Sequence, residues 1–308
     1  MTYDIILDWL QASFRWSAPL IICAMGEIFA ERSGVINMGI EGIMLCGALC
    51  GVAVSYYAQS QVVAILACMV LGAVLGLMVA FLTVSRRANQ IVTGLMVNLL
   101  AIGATNVIFS LLTVMRHKRA ATFSALFPES MQDIPFVGTV FFAQPFTTWI
   151  AVLLAIVAAF VLYKTRWGLN VRAVGDNPQA TATTGLSVIK IKYQTVVLSS
   201  VCAAVAGCVL TLASSGYFAA GGMTGGRGFI VLAAVVVGGW DPMKTLFVCM
   251  LFGAADAAQL RLQTTNSIIP TQFLQMLPYF TTVIALTIMV KKSRVPKTWG
   301  AAYDGRRS

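Results

Sequence analysis

Apolar stretches separated by short polar breaks run along almost the whole chain and predict repeated membrane crossings. They occupy residues 10–30, 34–57, 61–84, 90–115, 146–163, 193–212, 229–239, 243–260 and 273–290. Of the 308 residues, 58% are hydrophobic and 10% are charged, whereas soluble domains contain about a quarter charged residues. The pattern predicts an all-α polytopic membrane protein with about eight to ten transmembrane helices, forming a single domain over residues 1–308.

Glycine pairs four residues apart lie within two of these stretches. Gly47 and Gly51 form one pair, and Gly72 and Gly76 form the other. Such pairs allow two helix backbones to approach closely, although they do not specify the partner helix. We therefore expect close helix packing along both stretches.

The polar segment 164–192 contains a short helix with its own start and stop signals. Asp176 or Asn177 can serve as its N-cap, Pro178 takes the first helical position, and Gly185 can end it in the left-handed conformation. The residues between, QATATT, are small and weakly hydrophobic, so this helix has little reason to enter lipid. It is either a docking element or an ordinary connection between two spans.

The distribution of basic residues gives the chain an orientation. There are 21 Lys and Arg residues against 11 Asp and Glu, for a net charge of +10. With the C-terminus inside, 15 of the 21 fall on the cytoplasmic side and 6 outside. The positive-inside rule then predicts a cytoplasmic loop at 164–192 and a basic cytoplasmic tail at 291–308. This explanation of the charge leaves no reason to predict a nucleic-acid partner.

Cysteine and histidine do not form a recognisable site. All seven cysteines lie in apolar stretches without CxxC spacing, and His117 is the one histidine. They are better explained as small packing residues than as disulfides or metal ligands. No HExxH, GxSxG or paired-aspartate motif lies in a span, so we expect neither a metal site nor catalytic residues.

Polar residues inside the apolar stretches are candidates for a translocation pathway. Asn37 and Glu41 lie four residues apart on one helical face, and Asn98 is a further amide at membrane depth. Such groups face protein or a water-filled cavity rather than lipid. Glu27 and Glu41 can equally pair with Arg32 and join helix ends, and the sequence leaves both interpretations open.

A glycine-rich break at 214–228 is a second candidate for the pathway. Backbone of this kind is tolerated at membrane depth only where it lines a cavity or is buried in protein. No GK[ST] follows the glycines, which excludes a phosphate loop. Tyr217, Phe218 and Gly225 are the candidate lining residues, although the two aromatic side chains can also serve packing or anchor the chain at the membrane interface.

Two aspartates near the following spans have structural interpretations. Asp256 is expected to bond across helices. Asp241 is expected to cap its helix, with Pro242 at the first position.

A short internal repeat is consistent with two halves of opposite direction. The sequence NQIVTGLMVNLL starts at Asn89, and NSIIPTQFLQML starts at Asn266. In the predicted topology the two spans run in opposite directions, which is a recurrent design of transporters with the substrate path at the interface of the halves. The match is short, and chance similarity between two apolar segments is the alternative.

Several blocks together resemble the permease subunits of ABC importers for simple sugars and nucleosides, of the type II-like architecture. They are ERSGVINMGIEGIML, NQIVTGLMVNLLA, GLNVRAVGDNPQATATTGLSV, GGRGFIVLAAVVVGGWDP and LFGAADAAQLRLQ, and the similarity covers residues 27–290. The NMGIEG and ADAAQL blocks are most similar to nucleoside permeases, often those for purine nucleosides. Permeases for sugars and branched-chain amino acids are close relatives.

This resemblance implies a multi-pass subunit of the bacterial plasma (inner) membrane that has no ATPase of its own. ATP and Mg²⁺ would bind to partner ATPase subunits, beside a second, similar permease and an extracytoplasmic substrate-binding protein. Residues 177–185 would form the coupling helix, with Arg172 and Asp176 in polar contact with the ATPase. Asn37, Glu41, Asn98 and the 214–228 break would line the path.

Two other classes compete with this interpretation. An ion-coupled secondary transporter also suits opposed halves and buried carboxylates, but it would need no capped cytoplasmic helix. An intramembrane enzyme would need a catalytic motif that the spans lack.

Overall fold

The computed structural model describes residues 2–112, 120–124, 127–128, 138–214, 216–265, 270–289, 295–301 and 303. These residues form helices and connecting turns and contain no strand. The helices are α1 (Thr2–Arg32), α2 (Ile40–Ala58), α3 (Gln61–Ala80), α4 (Gln90–Leu111), α5 (Phe146–Lys164), α6 (Arg166–Asp176), α7 (Pro178–Thr183), α8 (Val188–Leu212), α9 (Arg227–Val237), α10 (Pro242–Thr265), α11 (Thr271–Gln275) and α12 (Leu277–Met289), with π-helical turns at Phe81–Ser85 and Gly138–Phe142.

Within the described residues, eight of the nine predicted apolar stretches each overlap one helix, and the ninth, 273–290, is divided between α11 and α12 at Met276. Six helices in the described part, α2, α3 with its π-helical turn, α4, α5, α8 and α10, are long and apolar enough to cross a membrane. The prediction that 229–239 spans the membrane is wrong. The helix there, α9, has 11 residues and is about 16 Å long at 1.5 Å per residue, roughly half of the ~30 Å hydrocarbon layer.

Helix α8 forms the centre of the bundle and packs against α1, α2 and α3. Both predicted glycine pairs lie against it. A methyl group built on Gly47 would lie 2.1 Å from the carbonyl oxygen of Ala204, and one on Gly72 would lie 2.7 Å from that of Ser200. On the other side of the contact, Gly207 of α8 lies so close to α2 that a methyl group built on it would be 1.9 Å from the Met44 carbonyl oxygen. The glycines therefore bring these backbones into direct contact.

Several polar segments meet at one end of the bundle, which we call the basic end. It comprises the C-terminus of α1, the connection between α3 and α4, helices α6 and α7, the turn between α9 and α10, and residues 295–301. Arg32 donates hydrogen bonds to the carbonyls of Trp240 and Gly239 there. The predicted inside-facing groups in the described chain are thus gathered at one end, while residues 291–294 and 304–308 of the predicted tail lie outside the described residues.

The opposite end carries a different set of contacts. Asp8 and Arg261 approach to 3.7 Å, and the side chain of Gln144 donates to the carbonyl of Gln11 at 2.8 Å. His117, and residues 266–269 of the predicted internal repeat, lie outside the described residues. The repeat therefore stays a prediction.

The contact between α2 and α8 should be sensitive to a single methyl group. Gly47→Ala forces the methyl against the Ala204 backbone, and overpacking of this kind costs about 1–3 kcal/mol. We expect a lower melting temperature of the purified protein in detergent. Gly103→Ala is the matched control, because nothing lies within 4 Å of a methyl group there. An equal loss of stability in both variants would contradict the packing explanation.

Candidate translocation site

The break before α9 places a helix N-terminus inside the bundle. The C-terminal end of α9 lies at the basic end, where the indole nitrogen of Trp240 donates to Glu31. Since α9 extends only about half the thickness of the hydrocarbon layer, its N-terminus lies near mid-depth. Gly221 and Gly222, in the segment leading to this N-terminus, have φ of +90° and +104°, and such values favour glycine because it lacks a β-carbon.

Glu41 occupies this helix N-terminus. Its Oε1 accepts hydrogen bonds from Thr224 Oγ1 at 2.5 Å and from the backbone N–H of Gly226 at 2.9 Å. Its Oε2 accepts from the N–H of Gly228 at 2.6 Å. Glu41 also lies in the first turn of α2. One carboxylate therefore lies at the N-termini of two helices, where backbone N–H groups lack partners in their own helix and negative charge is favoured.

Arg227, at the first position of α9, is held on several sides. Its Nε donates to Asp256 Oδ2 at 2.9 Å in an ion pair, and one terminal nitrogen donates to the carbonyl of Thr224 at 3.2 Å. The guanidinium also lies over the ring of Trp16, 5.0 Å from its centroid. Asp256 is only 3% exposed. This pair confirms that Asp256 bonds across helices, joining α9 to α10.

A cavity of about 500 Å³ opens beside this ion pair, within the range of volumes typical of small-molecule sites. Its wall combines backbone from the glycine-rich segment with side chains of α9, α10 and the α11–α12 segment. Gln259 and Gln275 supply amide groups, and Tyr279 supplies an aromatic ring. The Tyr279 hydroxyl donates to the carbonyl of Gly225 at 2.6 Å. The arrangement offers hydrogen-bond donors and acceptors to a polar solute.

The predicted pathway residues have different places around this cavity. Gly225 lines it. Glu41 lies behind the wall, bonded to Thr224 and Gly226 on either side of Gly225. The buried ring of Phe218 packs against Phe109 with centroids 5.2 Å apart, which is the packing alternative for that aromatic residue. Tyr217 is 45% exposed and does not line the cavity.

The side chains of Asn37 and Asn98 form hydrogen bonds around the irregular segment that connects α1 to α2. Asn37 donates to the hydroxyls of Ser199 and Ser200, both at 3.1 Å. Asn98 accepts from the N–H of Gly42 at 2.8 Å and donates to the carbonyl of Met38 at 2.9 Å. Both asparagines thus stabilise the entry to α2, and a pathway role for them stays a prediction.

The alternative pairing of Glu27 and Glu41 with Arg32 is wrong. Glu27 accepts from the N–H of Asn37 and the hydroxyl of Ser199, and Glu41 caps α9. Arg32 bonds to the carbonyls that follow α9, where the negative end of a helix dipole favours a cation.

The sequence alone did not single out Arg227, Gln259, Gln275 or Tyr279 as a site. A signal was present in part, because Asp256 and Gln259 lie three residues apart, on one face of α10 and within its apolar stretch 246–260. The meeting of these residues with Arg227 depends on how α9, α10 and α12 pack, which no local pattern specifies.

The predicted capped helix is present at the basic end as α7. The side chain of Asn177 accepts from the N–H of Ala180, Pro178 takes the first position, and Gly185 has φ of +83°. Asp176 is the exposed last residue of α6, and Arg172 lies over the ring of Tyr163 at 5.4 Å. Whether Arg172 and Asp176 contact a partner stays a prediction.

Residues 298–300 of the C-terminal segment bind to the same end, which the sequence did not indicate. Thr298 donates its N–H and its hydroxyl to the carbonyl of Gly175 in α6. The indole nitrogen of Trp299 donates to Glu31 at 2.9 Å, beside Trp240. This segment therefore connects α6 to the end of α1.

Membrane helices that enclose a polar cavity at a broken helix have the arrangement of a transport protein. Comparison with protein families identifies the kind. The sequence model of the family described as branched-chain amino acid transport system / permease component matches residues 10–290. The chain belongs to this family of ABC transporter permeases.

Individual relatives are similar over nearly the whole chain. The guanosine ABC transporter permease protein NupQ of Bacillus subtilis is 35% identical over 97% of this chain and 97% of its own length. The nucleoside ABC transporter permease protein NupC of Lactococcus lactis is 34% identical over 94% of both. The putative glucose ABC transporter permease protein TsgC13 of Haloferax volcanii is 32% identical over 91% of both.

Each of these organisms contains a second similar permease named for the same cargo: NupP in Bacillus subtilis, NupB in Lactococcus lactis and TsgB13 in Haloferax volcanii. No solved structure matches the chain. The family and the apolar spans together identify a permease subunit that is a multi-pass protein of the bacterial plasma (inner) membrane.

The Glu41 carboxylate should be important for the stability of the bundle. In Glu41→Gln, one of the two acceptor oxygens becomes an NH₂ group that faces donors, and an unsatisfied buried group costs about 1–3 kcal/mol. We expect a clearly lower melting temperature in detergent. Asp8→Asn is the control, because the Asp8 side chain is 62% exposed. Equal melting temperatures for Glu41→Gln and the wild type would contradict the capping role.

Proposed function

We propose that this chain is the membrane-spanning subunit of an ATP-driven importer and that it carries a nucleoside, with purine nucleosides the preferred class. The observation that carries the proposal is the cavity of about 500 Å³ beside the α9 N-terminus, which is lined by amide groups and an aromatic ring. A nucleoside requires hydrogen bonds to its base edges and ribose hydroxyls. Two permeases similar to this chain are named for guanosine and nucleosides.

A simple sugar is the second candidate cargo. It needs the same hydrogen-bonding groups, and the similarity to a putative glucose permease supports it. A branched-chain amino acid fits the cavity less well. Its ammonium and carboxylate groups need opposite charges or strong hydrogen-bond partners, whereas Arg227 and Asp256 are paired with each other and Glu41 fills the N-terminus of α9.

The basic end of the bundle is proposed to face the cytoplasm, following the excess of Lys and Arg there. In this orientation α6 and α7 face the compartment that contains ATP. The exposed side of α7, which includes Gln179, Ala182 and Thr183, would fit into a groove of a partner ATPase. That ATPase would bind ATP and Mg²⁺, and this chain would bind neither. Asp176, Asn177 and Arg172 would complete the contact.

The remaining partners follow from the relatives and from the surface. Nucleoside permeases in two organisms occur as two similar proteins, which supports a second permease subunit here. Apolar side chains such as Leu99 and Val70 are more than half exposed on α4 and α3 and suit contact with lipid or with that subunit. An extracytoplasmic binding protein would deliver the cargo to the opposite end.

Movement of α7 has a short mechanical route to the cavity. α7 continues directly from α6, and Gly175 of α6 packs so closely on α1 that a methyl group there would lie 2.0 Å from the Arg32 carbonyl oxygen. The Arg32 side chain then bonds to the turn that follows α9. A displacement of α7 by ATPase closure would thus reach α9, whose N-terminus borders the cavity.

Co-purification followed by uptake tests this function. A C-terminal tag, extraction in mild detergent and identification of the bound proteins should recover an ATPase and a second permease. Reconstituted with the binding protein, the complex should accumulate labelled guanosine only with ATP, and labelled glucose and leucine serve as competing cargoes. A chain that purifies alone and transports guanosine without ATP would instead be a secondary transporter.

The left-handed residue after α7 should be important for coupling. Gly185→Pro is incompatible with φ of +83°, since proline requires about −65°, and it should reorient the end of α7. We expect the complex to insert in the membrane but to lose most ATP-dependent uptake. Gly185→Asn is the matched control, because asparagine tolerates the left-handed conformation. Full uptake by the proline variant would show that α7 is only a connecting loop.

A further inference from the structure

The charges beside the cavity are already compensated within the protein. Among the described residues that line it, Arg227 is the one basic side chain, and Asp256 is the one acidic side chain. They form a direct ion pair at 2.9 Å. The remaining polar lining consists of neutral groups, among them Gln259, Gln275 and Tyr279. A cargo with a net charge would therefore find no free opposite charge on this wall.

The N-terminus of α9 is also filled. Helix N-termini bind anions readily because their backbone N–H groups lack partners and the helix dipole is positive there. Here the N–H groups of Gly226 and Gly228 donate to the two carboxylate oxygens of Glu41. Glu41 and Asp256 thus place two negative charges around the single positive charge of Arg227, and a third anion at this point would be repelled.

We propose that Asp256 is a specificity-determining residue that makes this cavity reject anionic cargo, so that the transporter accepts an uncharged nucleoside and excludes its phosphorylated forms. Asp256 acts by occupying Arg227, the basic side chain among the described residues that line the cavity, and Glu41 assists by filling the adjacent helix N-terminus. The inference rests on the proposed nucleoside transport and extends it to the choice between neutral and phosphorylated cargo.

Removal of the aspartate charge should convert rejection into binding. In Asp256→Asn, Arg227 keeps its contacts with Trp16 and the Thr224 carbonyl but loses its counter-ion. The freed guanidinium can then form a charge-assisted hydrogen bond to a phosphate, which is stronger than a hydrogen bond between neutral groups. We expect the affinity for guanosine 5′-monophosphate, relative to guanosine, to rise about tenfold or more.

The experiment measures equilibrium binding of labelled guanosine and labelled guanosine 5′-monophosphate. It uses the assembled transporter in lipid nanodiscs without the binding protein, so that selection by that protein does not enter. The wild type should bind guanosine and strongly disfavour the monophosphate. Asp256→Asn should reduce the difference in affinity between guanosine and the monophosphate. The increase in affinity for the monophosphate should be smaller at high salt, because it is electrostatic.

Two further variants test whether the increased binding of the monophosphate comes from the freed Arg227 guanidinium or from a general disturbance of the cavity. Asp256→Glu keeps the carboxylate and should keep the rejection. The double variant Arg227→Gln with Asp256→Asn removes both charges and should not gain binding of the monophosphate. If it gained as much as Asp256→Asn alone, the proposed action through Arg227 would be wrong.

A fourth variant keeps the inference testable if Asp256→Asn does not assemble. Gln259→Lys adds a cation to the cavity wall while both members of the ion pair stay in the chain, and it should also gain binding of the monophosphate. If guanosine still bound but neither Asp256→Asn nor Gln259→Lys increased the affinity for the monophosphate, the inference would be wrong and the proposed nucleoside transport would stand. If no form, the wild type included, bound guanosine, the proposed cargo would fail and the inference with it.

Discussion

The fold depends on one buried carboxylate that lies between two helix N-termini. Glu41 begins α2 and, through the N–H groups of Gly226 and Gly228, caps α9. Two positive helix ends facing each other inside a membrane would repel, and their free N–H groups would have no water to bond. The carboxylate places a negative charge between the two ends and accepts from the N–H groups of Gly226 and Gly228, while Asn98 accepts from the N–H of Gly42 in α2. The carboxylate therefore permits the break at mid-depth beside which the cavity opens.

Because of the same break, a single short helix, α9, connects the cavity to the basic end. Because α9 is only 11 residues long, its two ends lie at the cavity and at the basic end. Arg32 binds the carbonyls that follow it, while Trp240 and Trp299 both donate to Glu31. The C-terminal segment and α6 are attached to this cluster through Thr298 and Gly175. These hydrogen bonds, one buried and the others partly buried, connect the C-terminal end of α9 to α1, α6 and the C-terminal segment.

The described wall of the cavity combines neutral hydrogen-bonding groups with one internal ion pair. Its amide side chains and exposed backbone can exchange hydrogen bonds with hydroxyls and base edges, while its ion pair is internal to the protein. This agrees with membership in a permease family whose relatives are named for nucleosides and sugars. A buried ion pair costs desolvation energy, and this one joins α9 to α10. The selection of cargo that we propose for Asp256 would be a second role of the same pair.

The sequence by itself determined the helical membrane class, the family and the glycine pairs. It also limited the N-cap of α7 to Asp176 or Asn177, placed its end at Gly185, and identified the cap at Asp241, whose carboxylate accepts from Met243 and Lys244. These features depend on hydrophobic runs or on neighbours within a few residues. Only the tertiary structure decided that α9 crosses half the membrane, that Glu41 binds residues more than 180 positions away, and that Arg227 meets Asp256 and Tyr279. Such contacts arise from helix packing, which local pattern cannot encode, because a polar residue at membrane depth reveals only that it needs a partner.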